Sequence, residues 1–476
     1  MTRNRTLLLV VVCLAQFMVV LDVSIVNIAL PAIRTDLGFS TAGLQWVVNT
    51  YTLTFAGFLM LGGRAADLLG RRRMFLVGTG LFTFASLVCA VSSSAGVLLG
   101  ARALQGVGGA VLSPATLAIV MTSFAEGRER NRALGVWAAM AGLGASTGAV
   151  LGGLLTESVS WESIFLINLP IGIAVLLAGR GLIAEGRRGG ERHFDLAGAT
   201  LVTLGLVAVV FGIVRSDALG WGAPGVLAPI TAGLALLVLF ALVEQYVARA
   251  PLVPLSIFRR GQLTAANLVV VLLYAALFST FFFVTLYLQQ VEHYSALRAG
   301  VAFLPTTLGV AIASSLAERV IAAIGPRLTL TAGMLSAAAA MAWYSTLSPG
   351  DAYLSEVLPA SVLTAAGIGL SLVSATVVAV QGVPREQSGL ASGLLNSSRL
   401  IGGALGLAAL STIAESHTHA ALAAGAAPAR ALTDGYGAAF VVAAIACVVA
   451  AALAAAFIRA PRPAVRHDAA LVTEAS

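Results

Sequence analysis

Long uninterrupted runs of apolar residues constrain this chain more than any other feature. About fourteen segments reach the ~20 apolar residues that a helix needs to cross a bilayer. Because backbone polar groups inside lipid must be hydrogen-bonded within their own segment, we expect an all-α polytopic membrane protein. The predicted spans are 7–30, 43–62, 74–92, 96–122, 133–155, 163–182, 196–215, 225–248, 263–288, 299–318, 327–347, 355–381, 389–413 and 436–458.

The composition leads to the same class of protein. Only 10% of the 476 residues are charged, whereas a soluble domain carries roughly 25%. The net charge of +7 comes from arginine alone, in twos and threes between apolar runs. A continuous basic patch is missing from this pattern, so nucleic acid is not an expected partner.

Metal and disulfide chemistry have little support in the sequence. Cys13, Cys89 and Cys447 lie far apart inside apolar runs, so we interpret them as small buried side chains. His417 and His419 have no third ligand nearby, so no metal site is predicted. The spans carry no His/Asp/Ser set and no paired carboxylates, which argues against a membrane enzyme.

Arginine placement predicts the orientation of the chain. Most of the 28 basic residues fall at the termini or in the loops of one side, and Arg34, Arg215, Arg298 and Arg430 fall on the other. Cytoplasmic loops are the ones enriched in arginine. We therefore predict a multi-pass plasma-membrane protein with both termini in the cytoplasm.

Two polar breaks divide the chain. The stretch 185–194 is rich in glycine and charge, and 249–261 contains two prolines. We predict a six-span bundle in 1–184, a linker with two inserted spans in 185–262, a second six-span bundle in 263–458 and a cytoplasmic tail in 459–476.

The two halves also resemble each other. The loop 63–73 has a counterpart in 318–327, in which Gly325 keeps the offset of Gly70 and Ala322 replaces Asp67. Such a degenerate repeat is typical of duplicated transporters with a site between the halves.

Five motifs follow one another along the chain. The loop 63–73 fits G-x-x-x-D-x-x-G-[RK]-[RK], and 102–108 fits R-x-x-Q-G-x-G. The others are LDVSIVNIALP at 21–31, FLINLPIG at 165–172 and GLASG at 389–393. On these motifs, over nearly its whole length, the chain resembles the fourteen-span drug:proton antiporters of the major facilitator superfamily.

The resemblance implies the major facilitator fold, with two six-helix bundles plus an inserted helix pair. It also implies alternating access and proton-coupled export of lipophilic drugs or antibiotics, driven by the proton gradient without a cofactor. Two positions depart from the family pattern. Ala149 occupies the position where the fifth-span motif has proline, which weakens the case for antiport. Before the sixth-span motif the family usually has W-R-W, and this chain has Trp161, Glu162 and Ser163 instead.

Asp22 and Arg102 are the predicted proton-coupling residues. A charge within a span costs at least ~2.5–3.5 kcal/mol on insertion scales, so it usually serves a function. At 1.5 Å per residue both side chains lie ~10–14 Å inside the outer boundary, so they can meet. A purely structural ion pair between two helices is the alternative.

The resemblance assigns two further sets of residues. Gly63, Asp67, Gly70 and Arg71 are predicted to form the conformational gate, with Asp67 facing the thirteenth span near Ser388 and Gly389. From their charge, Arg71 to Arg73 either pair with Glu126 or Glu129 or only mark the cytoplasmic side of the membrane. Gly144, Gly148 and Gly152, with Gly153, are predicted to pack one face of the fifth span closely against a neighbour.

The predicted substrate cavity combines aromatic and polar side chains from both halves: Asn27, Trp46, Asn49, Tyr274, Phe281, Phe282, Asn396 and Arg399. Spans of the second half carry no acid away from the cytoplasmic edge, so Arg399 would leave the cavity positive. An unpaired cation in low dielectric favours neutral or acidic substrates.

The expected partners are a small lipophilic substrate, protons and membrane lipids, and the protein is expected to be monomeric. Two other functions remain open on the same fold. One is proton-coupled import of a small metabolite, and the other is a non-transporting membrane sensor.

Overall fold

A computed structural model of the chain describes residues 3–125, 127–184, 195–248, 251–253, 261–381 and 388–458. Within these ranges the regular structure is entirely helical. The predicted linker 185–194 and tail 459–476 lie outside the described residues. The long helices are α1 (Arg3–Leu37), α2 (Trp46–Leu69), α3 (Arg71–Ala90), α4 (Ala95–Ser123), α5 (Arg128–Ser158), α6 (Asn168–Leu182), α7 (Leu196–Leu219), α8 (Pro224–Leu242), α9 (Gly261–Leu286), α10 (Leu304–Tyr344), α11 (Leu358–Val380), α12 (Ser388–Ala423) and α13 (Pro428–Phe457).

The number of membrane crossings differs from the sequence count. Twelve helical stretches of the described chain are long and apolar enough to cross a bilayer. One of them, Ala296–Tyr344, is 49 residues long and covers two predicted spans. Helix α2 overlaps a predicted span but is not among the twelve. The expected all-helical, multi-pass architecture is present, and the count of fourteen stays a prediction.

Two glycines give the halves a common break. Gly70 separates α2 from α3 with φ 103° and ψ 132°, and Gly325 interrupts α10 with φ 83° and ψ 160°. An L-amino acid with a side chain rarely adopts this conformation, whereas glycine adopts it at little cost. The repeat in the sequence therefore has a structural counterpart.

The helices pack in three groups, and the predicted division of the chain stays a prediction. In the first bundle α1 packs on α5, and α4 packs between α2 and α3. In the second, α10 packs on α11 and α13, and α9 packs on α12. The inserted helices α7 and α8 pack on each other, and α7 also contacts α2 and α12. The inserted pair therefore lies beside the seam between the two bundles.

Large apolar side chains point away from the protein on the outer helices. Leu177, Val238 and Ile445 are among the exposed ones. In water such a surface favours association, but hydrocarbon chains solvate it well. The apolar surface therefore fits a protein surrounded by lipid.

We call one end of the molecule, which carries Arg34, Glu157, Gln290 and Glu415, the distal end. Helices α1, α5, α9 and α12 all run toward it from the end that carries the N-terminus. The orientation predicted from the arginines would make the distal end the outer one.

Candidate functional site: a buried carboxylate cluster in the first bundle

An ion pair lies in the interior of the first bundle. Arg102 Nη1 of α4 is 2.5 Å from Asp22 Oδ2 of α1, and both side chains are fully buried. The sequence predicts that Asp22 and Arg102 lie at the same depth in the membrane, and in the structure their side chains are in direct contact. Removing two charges from water is costly, so such a pair persists only where further hydrogen bonds satisfy it.

Two amides complete the coordination of the carboxylate. Gln105 Nε2 donates to Asp22 Oδ1 at 2.7 Å, and Asn168 Nδ2 donates to the same oxygen at 3.1 Å. Both amides also donate to Ser86 Oγ of α3, at 2.8 and 3.3 Å. Together with the bond from Arg102, Asp22 therefore accepts hydrogen bonds from three different side chains.

The guanidinium of Arg102 is held from several sides. Its Nε donates to the backbone oxygen of Val47 at 3.0 Å, and its Nη1 donates to Gln105 Oε1 at 2.6 Å. The ring of Tyr51 lies 4.4 Å from its Cζ, in the range of a cation–π contact. Helices α1, α2, α3, α4 and α6 all contribute to this cluster, so a change in its charge acts on five helices at once.

The glycines of α5 hold α1 in place beside this cluster. An added methyl group at Gly144 would lie 2.9 Å from Val20 Cβ, and one at Gly152 would lie 2.8 Å from the backbone oxygen of Ile25. Gly148 lies opposite Ser24, whose hydroxyl donates to the oxygen of Gly144 at 3.1 Å. The predicted close packing therefore involves the same stretch of α1 that carries Asp22.

Gly153 has a different neighbour from the other three glycines. A methyl group there would lie 2.5 Å from Ala296 O and Leu297 Cα, which belong to the second half. In return, a methyl group at Gly300 would overlap the backbone oxygen of Ala149. The position where the family motif has proline thus lies at a contact between the halves.

Three hydrogen bonds also join the halves at the distal end. Gln289 Nε2 donates to Ile28 O at 2.9 Å, and the Leu297 amide donates to Glu157 Oε2 at 3.1 Å. Arg34 Nη1 donates to Gln290 Oε1 at 3.3 Å. Together with the glycine contacts, these bonds close the distal end in this structure.

The predicted gate is only partly visible. Gly63 lies on α2 with Pro114 of α4 nearby, and Arg71 begins α3 directly after the break at Gly70. The side chain of Asp67 lies outside the described residues, as do those of Ser388 and Gly389 and the whole of Glu126. Glu129 pairs with Arg5 at 2.9 Å, and the pairing of Arg71 to Arg73 with Glu126 or Glu129 stays a prediction.

The eight predicted cavity residues lie in different surroundings. Trp46 packs against Phe211 of the inserted helix α7, with ring centroids 6.4 Å apart. Phe281 stacks on Phe303 at 5.1 Å. Asn49 is fully buried, with its amide directed at Gln45 Oε1.

Three further residues of the predicted cavity also lie in different surroundings. Asn27 donates to the backbone oxygen of Val23 at 2.8 Å, and Asn396 is half-buried on α12. Phe282 lines a separate cavity at the distal end. As a lining for one cavity, the set stays a prediction.

Arg399 and Tyr274 are two cavity candidates that do lie near each other. The Arg399 guanidinium carbon is 5.9 Å from the Tyr274 ring centre, and its Nη2 donates to Thr376 Oγ1 at 3.1 Å. Over the described residues no carboxylate pairs with Arg399. These contacts of Arg399 agree with the prediction of a cationic side chain without an acidic partner in the second half.

One premise of the charge prediction is wrong. Helix α12 continues to Ala423, so Glu415 lies inside a membrane-capable helix and its side chain is only 12% exposed. The span predicted from the sequence ends at residue 413, which would place Glu415 in a loop. The second bundle therefore carries an acid of its own at its distal end, and a positive cavity no longer follows from the residue count.

The sequence interpretation also missed three residues around Asp22. Gln105 and Asn168 were quoted as motif members without a role, although a buried amide in a span is itself a signal for a polar partner. Ser86 gave no signal, because a serine in a helix most often bonds its own backbone. Its hydroxyl does donate to Phe82 O, at 2.9 Å, while also accepting from the two amides.

Known proteins similar to this chain belong to one family. Residues 12–407 match the model of the Major Facilitator Superfamily. The chain is 42% identical over 424 residues to the Cephamycin export protein of Amycolatopsis lactamdurans, covering 88% of this chain and 86% of that protein. It is 43% identical over 418 residues to the Puromycin resistance protein of Streptomyces alboniger, covering 87% and 83%.

Solved structures with the same fold are more distant in sequence. The inward-facing, unoccupied structure of a bacterial homolog to the human lysosomal transporter Spinster matches with a TM-score of 0.68 at 16% identity. That match covers 98% of this chain and all of that one. On the family match, the identities to curated relatives and the shared fold, this multi-pass membrane protein belongs to the major facilitator superfamily.

Proposed function

We propose that this protein is a proton-coupled exporter of lipophilic antibiotics that works by alternating access. The observation that carries the proposal is the carboxylate of Asp22, buried in the first bundle with Arg102, Gln105 and Asn168 as donors. A buried charge in a membrane protein is expensive, and one that links several helices is suited to coupling protonation to their rearrangement.

The donor arrangement gives the coupling a physical basis. A neutral carboxyl group must donate its own proton, but each of the three neighbours of Asp22 also donates to it. Gln105 cannot simply turn its oxygen toward Asp22, because that oxygen already accepts from Arg102 at 2.6 Å. Asn168 Oδ1 is buried without a hydrogen-bond partner in the described structure, so a rotated Asn168 amide can accept the new proton.

Protonation also removes the counter-charge of Arg102. An uncompensated charge in the interior typically costs ~3–5 kcal/mol. That free energy is large enough to shift a two-state equilibrium by more than a hundredfold. Proton binding at Asp22 is therefore expected to drive the first bundle into a different packing, and proton release restores the present one.

The contacts between the halves supply the element that moves. The distal end is held by the bonds of Ile28, Glu157 and Arg34 and by the glycine contact at Gly153. These contacts must break in the opposite state of an alternating-access cycle. Because α1 carries Asp22 and also Ile28 and Arg34, rearrangement around Asp22 reaches the distal contacts directly.

Relatives support antibiotics as the substrate class. Two proteins with more than 40% identity are described by their roles in cephamycin export and puromycin resistance. Export fits both descriptions, and import of a metabolite fits neither. We infer a plasma-membrane location with both termini in the cytoplasm, energy from the proton gradient without a cofactor, and transport without enzymatic turnover.

Puromycin transport into proteoliposomes tests the proposal. Purified full-length protein is reconstituted and a pH gradient is imposed in either direction, with radiolabelled puromycin outside. Antiport predicts accumulation only when the lumen is acidic, and loss of accumulation when a protonophore is added. Accumulation only when the outside is acidic would indicate an importer.

Variants identify the coupling residue. Asp22→Asn keeps the size of the side chain but cannot change charge, so uphill accumulation should fall to the level of empty liposomes. Asp434→Asn serves as the matched control, because Asp434 is an exposed carboxylate that pairs with Arg430 at 2.9 Å. If vesicles that contain Asp22→Asn release protons on puromycin addition as wild-type vesicles do, coupling resides in another residue. A wild type that moves neither puromycin nor a cephamycin would favour the sensor alternative.

A further inference from the structure

A second polar site lies in the other bundle, well apart from the Asp22 cluster. A cavity of about 280 Å³ opens at the distal end between α12, α13, α9 and the end of α1. A water molecule occupies roughly 30 Å³ of liquid, so the space suffices for several. Its polar lining residues are Arg34, Ser40, Ser411, Glu415, Thr418, His419 and Tyr436.

Three of these residues form a ladder on one face of α12. Ser411, Glu415 and His419 are spaced by four, so their side chains follow one another along the helix. His419 is 61% exposed at the mouth of the cavity and Glu415 is 12% exposed below it. Ser411, one turn deeper, is more than nine-tenths buried. The ladder therefore leads from water into the protein.

Two hydroxyl groups in the cavity point to a bound polar species. Ser411 Oγ and Tyr436 Oη are both buried, and neither has a hydrogen-bond partner within the described part of the chain. A buried hydroxyl group without a partner costs free energy, and ordered water is its usual partner. The base of the ladder is thus suited to hold water next to Glu415.

Among the described residues, one imidazole and one guanidinium group line the cavity with Glu415. His419 Nε2 lies 3.6 Å from Glu415 Oε1, and Arg34 of the first bundle lines the same cavity. Helix α9 contributes Phe282 and Phe283, and α13 contributes Tyr436. On the neighbouring helices, Arg430 pairs with Asp434 of α13, and Arg215 of α7 lies over the Phe211 ring at 5.2 Å. The side chain of Asp217 on α7 lies outside the described residues.

We propose that Glu415 is a second proton-binding site, which exchanges protons with the distal solution through His419. A proton on the imidazolium Nε2 passes to Glu415 Oε1, leaving a neutral imidazole and a neutral carboxyl group. The imidazole then takes its next proton from bulk water. The separation of 3.6 Å is bridged by one side-chain rotation or one water molecule.

The position of the site gives it a role in transport, and this role rests on the proposed function. Arg34 belongs to the first bundle and also bonds Gln290 of the second at the closed distal end. A negative Glu415 attracts Arg34 across the cavity, and a neutral one does not. Proton uptake from the distal side would therefore loosen the distal contacts and favour opening.

Infrared titration of the purified, substrate-free protein tests the site itself. The carbonyl band of protonated carboxyl groups is followed against pH in wild type, Glu415→Gln, Asp22→Asn and Glu356→Gln. Glu356 is the matched control, a distal acid of the second half that accepts from Trp343 Nε1. We expect Glu415→Gln to remove one titrating component that Asp22→Asn and Glu356→Gln both retain. If the carboxyl band of Glu415→Gln titrates in the same way as that of wild type, the proposal is overturned.

A second variant keeps the test decisive if Glu415→Gln does not fold. His419 is exposed, so His419→Ala should fold normally while the band remains. After a pH jump, the carboxyl band of His419→Ala should respond at least tenfold more slowly than that of wild type. An unchanged rate would show that His419 does not deliver the proton.

Transport then distinguishes this inference from the proposed function. In proteoliposomes that export puromycin, Glu415→Gln should halve the number of protons exchanged per drug molecule while Glu356→Gln leaves it unchanged. An unchanged ratio in Glu415→Gln would remove Glu415 from coupling. If the wild type transports nothing, the proposed function fails, but the infrared titration still decides whether Glu415 binds a proton.

Discussion

Replacement of Gly153 by alanine should open the distal end. The added methyl group would lie 2.5 Å from Ala296 O and Leu297 Cα, both backbone atoms of the opposite half. Carbon atoms in contact stay ~3.5–4.0 Å apart, so the halves must separate there by roughly 1 Å. Side-chain rotation cannot relieve this overlap, because no side-chain atom is involved.

The size of the effect follows from the cost of overpacking. An extra methyl group in a well-packed contact costs ~1–3 kcal/mol. The cost falls only on the state in which the distal end is closed. The ratio of closed to open molecules should therefore fall by roughly 5- to 150-fold. Alanine also favours a helix over glycine by ~1 kcal/mol, but equally in both states.

Distances between spin labels at the distal end measure this shift. Val159 and Leu354 are 70% and 74% exposed, one in each half, and the three native cysteines are buried. Labels on Val159→Cys and Leu354→Cys should show a longer distance, or a larger long-distance population, in Gly153→Ala. The control is Gly135→Ala on the same helix, where an added methyl group meets nothing within 4 Å. Identical distance distributions in the two variants would refute the steric reasoning.

Three further substitutions test other parts of the molecule. Gly148→Ala places a methyl group against Ser24 Oγ, so puromycin transport should fall about tenfold or more, and Ser24→Ala in the same chain should restore part of it. Arg102→Ala leaves a buried carboxylate without its cation and should lower the free energy of unfolding by ~3–5 kcal/mol in a denaturant titration, whereas an equal stability would mean that the pair is dispensable. Asp67→Asn, at the gate motif, should slow turnover with little change in drug affinity, and a large loss of equilibrium binding would place Asp67 in the binding site instead.

The ion pair of Asp22 and Arg102 was accessible from the sequence for a simple reason. An acid and an arginine within apolar spans are too costly to leave unpaired, and the helical rise fixes their depth. Depth alone therefore predicted that Asp22 and Arg102 meet, and in the structure they do. The glycine spacing of four likewise predicted one close-packed helix face, which lies against α1.

Side-chain surroundings across helices were less accessible. The sequence did not predict the contact of Trp46 with Phe211, which arises because the inserted helix α7 packs beside α2. The hydropathy pattern places Glu415 in a loop because the polar run Glu415 to His419 lowers the hydropathy without ending a helix. Helix length is set by backbone hydrogen bonds and packing, and hydropathy reports only the part that faces lipid.

The sequence by itself determined the class of the protein, its all-helical, multi-pass character and the charges that must find partners. These properties depend on local composition and on the cost of placing polar groups in a bilayer. Only the tertiary structure decided that Gln105, Asn168 and Ser86 surround Asp22, and that Glu415 lines a distal cavity. Such groupings depend on how each helix is rotated and which neighbours it packs against, and one-dimensional periodicity does not encode either.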